Sequence, residues 1–178
     1  MRGHQLDAGT NKQTLILGLG NLLLSDEGVG VHVAQLLLRL ELPPDVEVID
    51  GGTGGFELIE HVRGKSKVVI VDCFRADAKP GSIARLTLDE VSLDQPSPFS
   101  VHEGGIQELL LPIQKLTPTP EVVLLGIVPA VVDQPGMVLS AEIESQMPKI
   151  VSAVLEEASG NQPAPSFDDA LVDLGGGD

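Results

Sequence analysis

Residues 14–20 read Thr14-Leu-Ile-Leu-Gly-Leu-Gly20 and run straight into Asn21-Leu-Leu-Leu-Ser-Asp-Glu27. An aliphatic run without polar alternation suits a strand covered on both faces, at the centre of a parallel sheet. From Asp26 the apolar residues Val29, Val33, Leu36, Leu37 and Leu40 fall at helical spacing, and Pro43-Pro44 stops the helix. Working outward, Val46-Glu-Val-Ile-Asp50 is a second strand, and Gly51-Gly-Thr-Gly-Gly55 leads into a short helix over 56–62. Lys67-Val-Val-Ile-Val-Asp72 is a third strand. Only about ten residues part it from Ser82-Ile-Ala-Arg-Leu-Thr-Leu88, too few for a crossover helix, so this fourth strand is expected antiparallel at an edge. A loop with Pro96 and Pro98 precedes a helix over 102–116; a fifth strand, 121–128, ends at Pro129, and a last helix covers 141–158. Strands alternating with helices make an α/β domain on a mostly parallel sheet.

The 178 residues fit one domain, placed at 14–159, with no internal repeat. Residues 1–13 are polar and unpatterned, and 160–178 are acidic with Gly and Pro, so both ends read as mobile tails. Hydrophobic residues make up 42% of the chain and aromatics 2%, which predicts an aliphatic core and excludes base stacking on aromatic side chains. Against 11 basic residues stand 26 acidic ones, a net charge of −15. Such a surface repels phosphate backbones and anionic headgroups, so neither nucleic acid nor membrane is expected as a partner; it attracts cations or basic peptides and also favours solubility. A single cysteine, Cys73, excludes an internal disulfide and any Cys-cluster zinc site, which suits a reducing compartment. Without a signal-peptide core or a membrane-length apolar run, the protein is expected in the cytoplasm.

Ligands of open α/β sheets bind beyond the carboxyl ends of the parallel strands. There the sequence places Asp26 and Glu27 after the first strand, Asp50 at the end of the second, Asp72 at the end of the third, and His102 at the start of the later helix. Each has an ordinary explanation. Asp26 suits a helix N-cap, Glu27 would oppose the helix dipole, Asp50 and Asp72 could accept turn hydrogen bonds, and His102 could simply be exposed. Together they form an oxygen and nitrogen donor set suited to a borderline ion such as zinc or nickel, with positions left for water or a substrate group. Cys73, next to Asp72 on a strand, points to the other face and reads as a small buried hydrophobe. The glycines at 51–55 expose backbone that could pair with an extended peptide or could simply turn the chain, so Gly51, Gly52 and Thr53 are candidates for substrate contact.

Several familiar motifs are incomplete. Gly18 and Gly20 lack the third glycine of a dinucleotide fingerprint. His102-Glu-Gly-Gly-Ile106 begins like a zincin helix, but Ile106 stands where the second histidine belongs. No Gly-x-Ser-x-Gly is present, and Cys73 has no evident paired base.

Leu17-Gly-Leu-Gly-Asn-Leu-Leu-Leu-Ser-Asp-Glu-Gly-Val-Gly-Val31 resembles the opening of the hydrogenase maturation endopeptidases, which trim the C-terminus of the large subunit of nickel-iron hydrogenases. Asp50-Gly-Gly-Thr53, the strand ending in Asp72, Ser100-Val-His102 and Leu125-Gly-Ile-Val-Pro129 are similar to that family's later landmarks, in order, over about residues 14–158. The resemblance implies an α/β three-layer sandwich, a twisted five-stranded, mostly parallel sheet with one antiparallel edge strand between helices. It also implies Glu27, Asp72 and His102 as metal contacts, with Asp50 a candidate for proton transfer. The implied partner is a large-subunit precursor that itself delivers nickel; zinc or another divalent ion could occupy the isolated protein. Two rivals carry different expectations: a noncatalytic nickel-dependent chaperone would bind the precursor without cutting it, and a nucleotide-binding enzyme would use Gly18, Gly20 and Asp50.

Overall fold

Every residue of Thr14–Leu19 (β1) is buried, because parallel strands flank it on both edges and helices cover both faces. In the computed structural model, which describes residues 13–91 and 105–160, those neighbours are Val46–Gly52 (β2) and Lys67–Cys73 (β3). Glu121–Ile127 (β5) pairs in parallel with β3, and Ile83–Thr87 (β4) pairs antiparallel with β5, giving the order β2-β1-β3-β5-β4. The antiparallel strand sits at the edge, as its short connection from β3 requires.

Alternation along each strand sends side chains into two aliphatic cores. Leu15, Leu17, Val68, Ile70 and Leu124 face Ile59–Val62 (α2) and Gly105–Ile113 (α3). On the other face, Ile16, Val69, Val71, Val123 and Leu125 meet Val29–Leu37 (α1) and Ala141–Ser159 (α4). Helix layers therefore cover both faces of a mixed five-stranded sheet. Ser140 caps α4, accepting from the Ile143 amide at 3.3 Å. Near its other end Glu157, 3% exposed, is tied to Lys67 at 2.7 Å and Arg85 at 2.7 Å, which fixes α4 across the sheet.

Most strand and helix ends differ from the sequence reading by one to three residues, and two of these differences bear on the cleft. β2 runs past Asp50 to Gly52, pairing with Leu19 across a register shift. α1 begins at Val29 rather than Asp26, after a tight 3-10 turn over Ser25–Gly28. The cause lies in Asp26, whose carboxylate caps no helix and is drawn instead to residues far along the chain. Three further readings lie outside the described residues: both tails, the loop with Pro96 and Pro98, and the start of the later helix with His102.

Glycine lets α1 lie directly on the sheet. A Cβ on Gly30 would overlap the carbonyl oxygens of Val71 and Leu19, and one on Gly18 would overlap that of Gly30. This contact seats the turn bearing Glu27 beside the end of β3. Gly30→Ala should therefore cost about 3 kcal/mol of stability, at the upper end of overpacking penalties, in urea unfolding. A loss below about 0.5 kcal/mol would show that the helix can lift without consequence.

Candidate functional site

β1 and β3 are neighbours, yet the chain leaves β1 towards β2 on one side and leaves β3 towards β4 and β5 on the other. A reversal of this kind opens a crevice at the carboxyl ends of the two strands. Here it holds a cleft of about 150 Å³ whose lining includes Leu19, Gly20, Glu27, Gly52, Thr53, Asp72 and Ile106.

Glu27 stands on the 3-10 turn after β1, its side chain 16% exposed. Its Oε1 accepts from the Asp133 amide at 2.8 Å and meets Arg75 Nη2 at 3.5 Å, while Oε2 has no partner among the described residues. Asp72, on β3, accepts from the Cys73 amide through Oδ1 at 2.7 Å and leaves Oδ2 unpartnered among those residues. Burial pushes the Asp72 carboxyl up to about 7; the Cys73 amide pulls it down and the charge of Glu27 adds to the rise. Two acidic groups turned into one cleft, each with an oxygen to spare, suit a cation better than an anion or a neutral ligand.

Cys73 also borders the cleft while packing against the core under α1 and α4. Burial, together with Asp72 and Glu27, pushes its thiol up to about 12, so without a bound cation it stays neutral at neutral pH and is a poor nucleophile.

The remaining candidates separate. Gly52 and Thr53 line the cleft. Asp50 is exposed and is not among the lining residues; its oxygens accept from Gln35 Nε2 at 3.0 Å and from the Gly52 amide at 3.1 Å, holding the turn. Gly51 packs against Leu19 and Leu58 beneath that turn. His102 lies outside the described residues. Among the described residues no three His, Cys, Asp or Glu side chains come together to hold an ion, so Glu27 and Asp72 contribute two acidic groups and no third.

Sequence reading missed the support behind Glu27. Asp26 is fully buried, and Arg75 joins Glu27 to Asp133, to which it is bonded at 2.9 Å. The usable signal was the unpatterned stretch after Pro129, a long connection leaving the carboxyl end of a strand, where function concentrates.

A family model described as hydrogenase maturation protease matches residues 31–157, most of the chain. The chain belongs to that family. It is 32% identical over 150 residues to the hydrogenase expression/formation protein HupD of Thiocapsa roseopersicina, covering 83% of this chain and 68% of the relative. To the hydrogenase 2 maturation protease of Escherichia coli K12 it is 30% identical over 144 residues, 79% of this chain and 87% of that one. A solved [NiFe] hydrogenase maturation protease, HybD of Thermococcus kodakarensis, superposes with a TM-score of 0.67 at 26% identity, over 82% of this chain and 99% of the other. As a hydrogenase maturation protease the chain is a hydrolase of the endopeptidase type, and no helix among its described residues is long and apolar enough to cross a membrane.

The protease bears a cost for its acidic cleft. Because Asp72 titrates near 7 in the folded protein and near 3.8 unfolded, the native state binds more protons between those values and stability falls as pH rises through them. Asp72→Asn, which can still accept from Cys73, should be more stable than the parent by about 2 kcal/mol at pH 7.5, discounted for partial exposure. In urea unfolding with a chelator present, that gain should fade by about pH 4. An equal gain at both pH values, or a loss at the higher, would contradict this account of Asp72.

Proposed function

We propose that this endopeptidase removes a C-terminal extension from the large-subunit precursor of a nickel-iron hydrogenase, and that it recognises the nickel carried by that precursor through Glu27, Asp72 and His102. The observation that carries the reading is the meeting of Glu27 and Asp72, from adjacent strand ends, in one half-buried cleft of a chain belonging to this family. Chain connectivity supports the third member. Ile106 of α3 lines the same cleft, and His102 precedes Gly105 by three residues, a span of at most about 11 Å.

On this reading nickel is part of the substrate. A precursor lacking it meets two carboxylates with nothing to neutralise them; a loaded one offers a cation to their spare oxygens and to a histidine nitrogen, donors that nickel accepts. Asp72, near half-protonated at neutral pH, gives up its proton as that cation arrives. Gly52 and Thr53 offer backbone along the cleft to an extended peptide, and Asp50 shapes their turn. One neutral thiol and an acidic surface suit work in the cytoplasm.

Purified protease incubated with nickel-loaded or nickel-free precursor, followed by intact-mass spectrometry, tests the reading. The loaded precursor alone should lose its extension. Glu27→Gln and His102→Ala should each slow release at least about 100-fold while unfolding cooperatively, since losing a direct ligand exceeds the usual 10–100-fold effect of an outer contact. A loaded precursor left whole by the parent enzyme would favour a chaperone instead, and equal cutting of the nickel-free form would remove nickel from recognition.

A further inference from the structure

The chain after β5 folds back over the turn after β1 and is fastened there by one side chain. Asp26, with no exposed surface, accepts from the amides of Ala130 at 3.0 Å, Val131 at 2.8 Å and Ser140 at 2.7 Å, and from the Ser140 hydroxyl at 2.8 Å. Backbone bonds add to the seam, with Ser25 donating to Gly136 at 2.8 Å and Gly136 to Leu23 at 3.0 Å. Within the fastened stretch, Asp133 adopts φ 57°, a left-handed conformation uncommon outside glycine. That conformation aims its amide at Glu27 Oε1, 2.8 Å away, and its carboxylate lies 2.9 Å from Arg75.

We propose that Asp26 is a positioning residue for Glu27. Its carboxylate pins the 130–140 stretch at both ends, the pinned stretch holds Asp133 in its left-handed turn, and the Asp133 amide fixes the Glu27 carboxylate with Oε2 left for the cation. Four donors satisfy this buried carboxylate, and they converge on the residue adjoining Glu27 in sequence. A backbone amide suits this task because it has no rotamer of its own, and orienting contacts behind a metal ligand commonly govern affinity. The inference rests on Glu27 contacting the ion, as proposed above.

The variant Asp26→Asn replaces one acceptor oxygen with an amide nitrogen that cannot accept from these donors. Two readouts on the full chain follow: affinity for nickel(II) alone by calorimetric titration, and amide hydrogen exchange along 130–140. Affinity should fall about 10–100-fold, with faster exchange confined to that stretch and to the turn after β1. If Asp26→Asn fails to fold, Ser140→Ala, which deletes one donor to Asp26 together with the α4 cap, should give a smaller loss of affinity, with faster exchange along 130–140 and in the first turn of α4. Asp45→Asn removes one exposed carboxylate just before β2, outside the cleft lining, and controls for the change of charge; its affinity should stay within about threefold of the parent. Unchanged affinity despite loosened residues 130–140, a loss in Asp45→Asn as large as in Asp26→Asn, or no nickel binding by the parent protein would each overturn the proposal. Precursor processing by Glu27→Gln separates the two readings. If that variant still cuts, nickel recognition by Glu27 fails; if it does not cut while Asp26→Asn binds nickel normally, only the positioning role fails.

Discussion

Two parallel strands that lie side by side but hand the chain on in opposite directions impose the constraint from which the cleft follows. No crossover helix can cover the gap above the carboxyl ends of β1 and β3, so whatever follows those strands faces its counterpart across open space. Close seating of α1 on the sheet through Gly18 and Gly30 then settles how near the turn after β1 stands to the end of β3. Glu27 and Asp72 therefore line the same cleft.

Three acidic side chains drawn away from water illustrate how this fold separates structure from function. Glu157 is satisfied by Lys67 and Arg85, whose hydrogen bonds outweigh its burial and hold its carboxyl below the usual range. Asp26 is satisfied by four uncharged donors. Asp72 has one backbone amide and an acidic neighbour, too little to offset its desolvation. Carboxylates at the first two positions fasten elements together, and their partners lie within the protein. The third is left short of partners at the sheet's reversal point, where an incoming cation would supply what the chain withholds.

Much of this was legible in the sequence because it rests on local pattern. Continuous aliphatic runs marked β1, β3 and β5, the short link after Asp72 fixed β4 as antiparallel, and the positions of Glu27 and Asp72 at strand exits followed from strand order. What stayed hidden depends on contacts that leave no local trace. Asp26 at the head of an apolar helical pattern looks like an N-cap, yet its partners stand 104 to 114 residues away, and three of its four bonds are to main-chain amides, which carry no residue signature. No local pattern singles out Asp133 or Arg75 either. Asp50, a candidate from its strand-end placement, also has contacts the sequence left unannounced: its carboxylate accepts from Gln35 and from the Gly52 amide.

Anomalous diffraction at the nickel edge, on crystals of the full chain soaked with nickel(II), tests the central claim most directly. The account expects one strong peak in the cleft, about 2.0–2.2 Å from a carboxylate oxygen of Glu27, an oxygen of Asp72 and a ring nitrogen of His102, the usual range for such donors on borderline divalent ions. A peak elsewhere on the molecule, or a cleft ion with His102 directed away from it, would contradict it.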